Sequence, residues 1–207
     1  MSVDPSAGMS AGVSTNLSIA RSELILGGQK SGKSARAEML AWSWLQANAD
    51  HHATFIATAQ AWDDEMRARI VRHQADRAAR LPTMLTIEEP IAVAAAIRTH
   101  SQADCLIVLD CLTLWLTNCL MPIDQVAIDM NVMKEVIADL LDAVQTARGP
   151  VVIVSNEIGL GVIPMGREVR SYVDQLGKLN QALAATVDRV SLMAAGIPLC
   201  LKNKEGR

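Results

Sequence analysis

Residues 27–34 read Gly-Gly-Gln-Lys-Ser-Gly-Lys-Ser, which fits the phosphate-loop pattern of a glycine, four residues and then Gly-Lys-Ser. The apolar residues 24–26 run directly into this segment, and helix-forming residues 35–40 follow it. In a loop between a strand and a helix, glycines let successive N–H groups converge on phosphate oxygens, and the N-terminal end of the helix adds partial positive charge. The segment therefore predicts a nucleoside triphosphate site, whereas a chance match in a loop that binds nothing is the weaker interpretation.

The phosphate-loop pattern assigns separate roles to two side chains. Lys33 is expected to reach the β- and γ-phosphates, and Ser34 is expected to ligate a Mg²⁺ ion. The other candidate contacts in the loop are Gly27, Gly28, Gln29, Lys30, Ser31 and Gly32.

Strand-like and helix-like segments alternate along the rest of the chain, which is typical of an α/β fold with a mostly parallel sheet. Residues 105–110 form an apolar run that ends in one carboxylate, as in a strand buried on both faces. The predicted strands are residues 24–26, 53–59, 84–87, 105–110, 150–154, 189–193 and 199–202. The predicted helices are residues 35–46, 63–77, 91–98, 112–120, 129–147 and 168–187.

Polar residues follow the predicted strands repeatedly, and ligands of such sheets bind beyond the carboxyl ends of the strands. These residues are Thr58, Glu88, Asp110, Asn156 and Glu157. Asp110 is the natural candidate for a carboxylate that holds Mg²⁺ directly or through water. The alternative is that Asp110 only caps the following helix near Thr113, because aspartate is a favoured N-cap residue.

One histidine lies in the long charged helix predicted over residues 63–77. Arg69, His73 and Arg77 stand four residues apart and share one helix face. Neighbouring guanidinium groups discourage protonation of an imidazole, and a neutral imidazole beside phosphate-binding cations suits a nucleophile that attacks phosphorus. Taken alone, a solvated histidine on a charged helix face is the stronger interpretation of His73.

Length, charge and cysteine pattern narrow the class of protein. The 207 residues predict one domain over residues 21–207 after a flexible tail over residues 1–20. A formal charge of −3 gives no basic field for nucleic acid, and no uncharged apolar run has the length of a membrane span. The four cysteines form no Cys-x-x-Cys pair, and two lie in apolar segments, so we expect reduced thiols and a cytoplasmic location.

The motifs taken together resemble one enzyme family, the bifunctional adenosylcobinamide kinase / adenosylcobinamide-phosphate guanylyltransferases of cobalamin biosynthesis. The resemblance runs in order over about residues 24–202. Its segments are the phosphate loop and residues 56–59, 63–66, 69–70, 72–77, 86–90, 110–115, 155–164 and 179–184. A phosphate loop alone is common to many enzymes, whereas this series of motifs is specific.

The resemblance implies a RecA-like phosphate-loop NTPase fold and two reactions at one nucleotide region. A nucleoside triphosphate, ATP or GTP, phosphorylates the aminopropanol hydroxyl of adenosylcobinamide. GTP then guanylylates a histidine, which matches His73, and the GMP passes to adenosylcobinamide phosphate. The resemblance also implies a homotrimer. The implied nucleotide contacts outside the loop are Ala57, Thr58, Ala59, Gln74, Ala75, Asp76, Arg77, Glu88 and Asp110.

Residues 78–85 depart from the family pattern because the link is longer and lacks the usual proline and tryptophan. The position of Glu88 therefore depends on how this link folds. Two other functions are consistent with the phosphate loop: a plain small-molecule kinase in which His73 only binds phosphate, and a binding module that changes shape with nucleotide but performs no chemistry.

Overall fold

The computed structural model describes residues 17–122, 126–162 and 164–204, and within these ranges seven strands form one sheet. The strands are β1 (Ser22–Gly27), β2 (His52–Ala57), β3 (Leu85–Glu88), β4 (Cys105–Asp110), β5 (Val151–Val154), β6 (Arg189–Ala194) and β7 (Ile197–Asn203). The helices are α1 (Lys33–Ala47), α2 (Asp64–Arg80), α3 (Val93–His100), α4 (Leu112–Leu120), α5 (Met130–Thr146) and α6 (Arg167–Thr186).

The sheet has the order β3-β2-β4-β5-β1-β6-β7, and among these strands β7 alone pairs antiparallel, with β6. The mostly parallel sheet flanked by helices confirms the predicted α/β architecture. Strand β1, which carries the phosphate loop, lies between β5 and β6, and β5 separates it from β4. The carboxyl ends of β1, β4 and β5 consequently meet at one edge, where the site is built.

The central strands are buried on both faces because helices cover each side of the sheet. Leu24, Ile107 and Ile153 face the core formed with α3 to α6, whereas Ile25 and Val108 face the core formed with α1. Side chains alternate across a strand, so an unbroken apolar run fills both layers. The apolar run that predicted β4 reflects this two-sided burial.

Two predicted segments fold differently in detail. Strand β2 ends at Ala57, so Thr58 and Ala59 lie just beyond it rather than inside it. In the link at residues 78–85, residues 78–80 belong to the last turn of α2, residues 81–84 form a turn, and Leu85 begins β3. Glu88 then pairs in register with Ala57, which itself pairs with Asp110.

The beginning of the described chain is packed against the domain. Arg189 donates hydrogen bonds to the Ser18 carbonyl at 2.6 Å and to the Ser18 hydroxyl at 2.7 Å. Leu17 and Ile19 pack against the α1-side core, and Ala20 is buried. Ordered packing thus begins before Arg21, and the rest of the predicted tail, residues 1–16, lies outside the described residues.

All four cysteines are free. Cys105 and Cys119 are buried, and burial raises the pKa of the Cys119 thiol to about 11. Within the described part of the chain, none of the helices combines the length and the apolar character needed to cross a membrane.

A buried carboxylate lies inside the sheet beneath the phosphate loop. Glu23 on β1 is 1 % exposed, and its Oε1 accepts a hydrogen bond from the Ser191 hydroxyl at 2.7 Å. The guanidinium groups of Arg36 and Arg189 lie 3.8 and 3.6 Å from its two oxygens. Because Arg36 belongs to α1, this cluster fixes α1 against β1 and β6.

Glu23→Gln is expected to lower the free energy of unfolding by about 3 kcal/mol, because it leaves the buried Arg36 cation without its carboxylate. Urea unfolding followed by circular dichroism measures the change. The control is Asp64→Asn, which removes the carboxylate from an exposed pair with Arg67 at 2.9 Å and should change stability little. Equal effects of the two substitutions would contradict a structural role for the buried cluster.

Candidate active site

The phosphate loop closes tightly on its surroundings at two glycines. Gly27 has a φ of 153°, and a Cβ atom there would lie 2.5 Å from the Ser31 hydroxyl oxygen and 2.7 Å from the Met193 carbonyl oxygen. Gly32 has a φ of 102°, and a Cβ atom there would lie 3.1 Å from the Cα of Gly196. Only glycine fits both positions, which gives a local physical reason for the pattern read from the sequence.

Lys33 lies folded across the loop. Its Nζ donates a hydrogen bond to the Gly28 carbonyl oxygen at 2.6 Å, and the residue is 8 % exposed. Burial lowers the pKa of Lys33, an effect that the nearby Cys111 and Asp110 oppose. The ammonium group is therefore held on the inner side of the loop, where a cation can neutralise phosphate charge.

Ser34 and Asp110 meet at the carboxyl edge of the sheet, although they are 76 residues apart. The Ser34 hydroxyl donates a hydrogen bond to Asp110 Oδ2 at 2.9 Å. Burial raises the pKa of Asp110, while this hydrogen bond and the charges of Lys33, Arg77 and His73 act in the opposite direction. Helix α4 has Cys111 as its N-cap residue and no side-chain capping bond, so the interpretation of Asp110 as a helix cap is wrong.

The oxygen atoms of Ser34 and Asp110 fit a Mg²⁺ ion, which needs only one or two protein ligands, better than a metal ion whose ligands all come from the protein. A hydroxyl and a carboxylate supply two hard oxygen ligands, and Mg²⁺ in phosphate sites is commonly held by one or two such groups plus phosphates and water. No group of three or more histidine, cysteine, aspartate or glutamate residues that could hold a metal occurs among the described residues. Ser34 and Asp110 are therefore the residues that would hold the ion.

Thr58 is buried and holds the backbone at Asp110 and Cys111, rather than facing the open side of the site. It is 0 % exposed, its N–H donates to the Asp110 carbonyl at 3.0 Å, and its hydroxyl bonds both the N–H and the carbonyl of Cys111 at 2.8 Å. Asn118, 2 % exposed, donates to the carbonyls of Thr58 at 2.8 Å and Pro90 at 3.0 Å. The sequence analysis did not single out Asn118. The feature that could have indicated it is a side-chain amide within the largely apolar helix α4.

His73 lies on α2 and is exposed, yet its electrostatic surroundings are unlike bulk water. Partial desolvation is the main cause that lowers the pKa of His73, and the charges of Arg69 and Arg72 lower it further. Asp110 acts in the opposite direction, so His73 and Asp110 influence each other's protonation. Desolvation and the two arginine charges together favour the neutral imidazole.

Arg77 occupies a different place from the one that the helix-face argument predicted. It is 6 % exposed, its guanidinium carbon lies 3.7 Å from the centroid of the Phe55 ring, and its Nε donates to the Thr86 hydroxyl at 3.4 Å. Arg72, not Arg77, is the second cation that acts on His73. Sequence reasoning missed Arg72 because a four-residue spacing ignores the direction in which long side chains point.

Two further contacts fix helix α2 to the rest of the site. Arg80 forms an ion pair with Glu38 of α1 at 2.7 Å, and Gln74 donates a hydrogen bond to Glu88 Oε1 at 2.9 Å. Burial raises the pKa of Glu38, and Arg80 and Arg77 oppose that shift. These contacts hold the histidine-bearing helix beside the ends of β2 and β3.

The other candidate contacts lie around the same edge with differing exposure. Gly28, Gln29 and Lys30 are exposed at the tip of the loop, and Ala57 and Ala59 are partly buried at the end of β2. Ala75 and Asp76 are exposed on α2. The structure thus brings the phosphate loop, Asp110, Glu88 and α2 together at the carboxyl edge of the sheet.

Comparison with known proteins identifies sequence relatives over nearly the whole chain. The profile of a family described as "Cobinamide kinase / cobinamide phosphate guanyltransferase" matches residues 23–201. The chain is 44% identical over 182 residues to the bifunctional adenosylcobalamin biosynthesis protein CobP of Pseudomonas aeruginosa, covering 88% of this chain and 98% of the relative. It is 35% identical over 187 residues to the bifunctional protein CobU of Salmonella typhimurium, covering 86% of this chain and 98% of the relative.

The fold has a solved counterpart at much lower sequence similarity. The structure of an ATPase domain aligns with a TM-score of 0.53 at 12% identity, covering 91% of this chain and 79% of that domain's chain. At such low identity the likeness concerns the fold alone. It confirms the predicted RecA-like phosphate-loop NTPase fold.

Proposed function

The chain belongs to the cobinamide kinase / cobinamide phosphate guanyltransferase family, whose two named activities are both group transfers, and we propose that it catalyses both in adenosylcobalamin biosynthesis. The first substrate is adenosylcobinamide with ATP or GTP as phosphoryl donor. The second is adenosylcobinamide phosphate with GTP as guanylyl donor. The products are adenosylcobinamide-GDP and pyrophosphate.

The phosphoryl transfer rests on the phosphate loop. Loop N–H groups and Lys33 hold the β- and γ-phosphates, and Ser34 and Asp110 would hold Mg²⁺. A bound Mg²⁺ ion neutralises charge on the phosphate oxygens. The acceptor hydroxyl gives up its proton to water, and its oxygen forms the new bond to the γ-phosphorus. The bond from that phosphorus to the β-γ bridging oxygen breaks, and the nucleoside diphosphate leaves.

The guanylyl transfer rests on His73. A neutral imidazole nitrogen attacks the α-phosphorus of GTP, an N–P bond forms, and the P–O bond to pyrophosphate breaks. A phosphate oxygen of adenosylcobinamide phosphate then attacks the same phosphorus and releases the imidazole. The lowered pKa of His73 supports this role, because the free lone pair is present at neutral pH.

One observation carries the proposal of a shared site. His73 and Asp110 lie on different elements, α2 and the end of β4, yet each shifts the pKa of the other. Asp110 also accepts the hydrogen bond from Ser34 of the phosphate loop. The hydrogen bond from Gln74, the residue after His73, to Glu88 holds α2 beside the sheet edge where Glu88, Ala57 and Asp110 are in register. This geometry supports one nucleotide region for both reactions.

The test is product analysis with labelled nucleotides. The purified chain is incubated with adenosylcobinamide, Mg²⁺ and GTP labelled at either the α- or the γ-phosphate, and the corrinoids are separated by chromatography. The γ-label is expected in adenosylcobinamide phosphate and, because that phosphate is kept, also in adenosylcobinamide-GDP. The α-label is expected in adenosylcobinamide-GDP alone. Product with γ-label only would favour a plain kinase, and no labelled corrinoid would favour a nucleotide-dependent binding module.

Asp110→Asn is expected to raise the Mg²⁺ concentration needed for half-maximal phosphoryl transfer by at least about tenfold, because a neutral amide is a poorer ligand for the ion. A Mg²⁺ titration of the initial rate measures the change. The matched control is Asp129→Asn, since Asp129 caps α5 through the Asn131 N–H and asparagine caps equally well. Identical Mg²⁺ dependence of Asp110→Asn and the unsubstituted chain would remove Asp110 from the metal site.

The homotrimer stays a prediction of the resemblance, and the cytoplasmic location stays a prediction of the cysteine pattern. Light scattering on the purified chain measures its mass in solution and tests the first. The four free thiols are consistent with the second.

A further inference from the structure

A groove of about 750 Å³ opens beside the phosphate loop, between α6 and the loop that follows β5. Leu26, the residue before Gly27, forms part of its floor, and the Glu157 N–H at its edge donates to the Gly27 carbonyl at 3.0 Å. Arg170 ties the two walls together by donating to the Pro164 carbonyl at 3.0 Å and to the Met165 carbonyl. We call this space the α6 groove.

The helix wall of the α6 groove offers polar groups with no other use. Asp174, Lys178 and Gln181 recur at helical spacing on this wall, and all three are at least partly exposed. The side chains of these three residues form no hydrogen bond or ion pair with another described residue. Together they supply a carboxylate acceptor, an ammonium donor and an amide that does both.

The centre of this wall is a glycine that internal packing does not require. Gly177 lies in the middle of the 20-residue helix α6, where glycine is less favourable than alanine. Among the described residues, a Cβ atom at Gly177 would meet nothing within 4 Å, so none of them excludes a side chain there. The absence of a side chain at Gly177 widens the groove. A bulky ligand that lies against α6 would need this space, which would explain why the residue is glycine.

The opposite wall is apolar and exposed. Leu160 is 81% exposed and Val162 is 97% exposed, and both line the groove. An apolar wall facing a wall of hydrogen-bonding groups matches a large organic ligand with an apolar body and polar substituents. A nucleoside triphosphate does not need the groove to reach Lys33 and Ser34, which lie in the phosphate loop itself.

We propose that the α6 groove binds the corrinoid acceptor, an inference that rests on the proposed function. Cobinamide is a corrin ring with amide side chains and an aminopropanol arm that ends in a hydroxyl group. The amides meet Asp174, Lys178 and Gln181, the ring edge meets Leu160 and Val162, and the arm extends over Leu26 toward the phosphate loop. This arrangement brings the acceptor hydroxyl to the γ-phosphate from the β5 side of the loop.

The test is a steric block of the α6 groove. Gly177→Leu places an isobutyl group in the groove and is expected to raise the Kd of cobinamide at least about tenfold, with no matching rise in the Kd of GTP. Cobinamide absorbs visible light, so equilibrium dialysis followed by absorbance measures its Kd, and labelled GTP is measured in the same way. Gly177→Ala should give a smaller rise, because a methyl group takes less of the space.

The control variant is Ser171→Leu, which adds the same side chain to an exposed position of α6 that does not line the groove. Its Kd for cobinamide should equal that of the unsubstituted chain. Lys178→Ala keeps the helix and removes one hydrogen-bond donor, so it should also weaken cobinamide binding. This variant provides the test if Gly177→Leu fails to fold.

Two results would overturn the assignment. Cobinamide binding by Gly177→Leu at the original Kd would show that the acceptor lies elsewhere, and a parallel loss of GTP binding would assign the groove to the nucleotide. Failure of the proposed function gives a different pattern. In that case the unsubstituted chain binds cobinamide, Gly177→Leu does not, and neither transfers a phosphoryl or guanylyl group.

Discussion

Lys33→Ala is expected to lower both phosphoryl and guanylyl transfer by about a thousandfold, because removal of one preorganised charge donor from a transition state commonly costs ~10²- to 10³-fold. The Lys33 ammonium group is already held inside the loop by the Gly28 carbonyl at 2.6 Å. It is therefore kept beside the loop backbone where the phosphates would bind. Initial rates of the two half-reactions, measured separately at saturating nucleotide, give the size of the loss.

Two further variants separate charge, geometry and stability at this position. Lys33→Arg keeps the positive charge but replaces a compact ammonium by a planar fork, so it should also be strongly impaired. Lys134→Ala removes an exposed lysine of α5 and should keep full activity. Because burial lowers the pKa of Lys33, the alanine variant should unfold at no lower temperature than the unsubstituted chain. A lowered melting temperature that accounts for the lost activity would contradict a direct role for Lys33.

His73→Ala is expected to abolish covalent labelling by GTP carrying an α-phosphate label and to reduce guanylyl transfer to background. The phosphoryl transfer should keep most of its rate, because Lys33, Ser34 and Asp110 are untouched. A phosphoramidate tag is labile in acid and stable in alkali, so gel autoradiography after each treatment identifies the linkage. His52→Ala is the control, since His52 lies at the amino end of β2, opposite the site.

The pH dependence of labelling tests the protonation state of His73. Its pKa is lowered from 6.5, so the neutral, nucleophilic form predominates at pH 7, and the rate should fall only as the pH drops below 6.5. Arg69→Gln removes one of the charges that lower this pKa, so the acid limb should move to higher pH. Undiminished α-labelling of His73→Ala would place the nucleophile at another residue and withdraw this part of the proposal.

Local sequence determined the elements of this protein. The alternation of apolar runs and helical segments is a short-range property, and it predicted the strands and helices to within a few residues. The phosphate loop is local too, because the positive φ of Gly27 and Gly32 and the neighbouring Lys33 and Ser34 all belong to the one segment 27–34. Asp110 could be singled out because a carboxylate that ends a two-sided apolar strand lies at the ligand-binding edge of a parallel sheet.

Tertiary structure decided what these residues do to one another. Ser34 and Asp110 form one site only because β1 and β4 are separated by a single strand. Arg77 turns inward onto Phe55 while Arg72 acts on His73, a choice made by side-chain packing rather than by helical spacing. The α6 groove exists because α6 packs beside the phosphate loop with Gly177 facing open space. Contacts between distant segments depend on which faces are buried together, and that is a property of the whole chain rather than of any single motif.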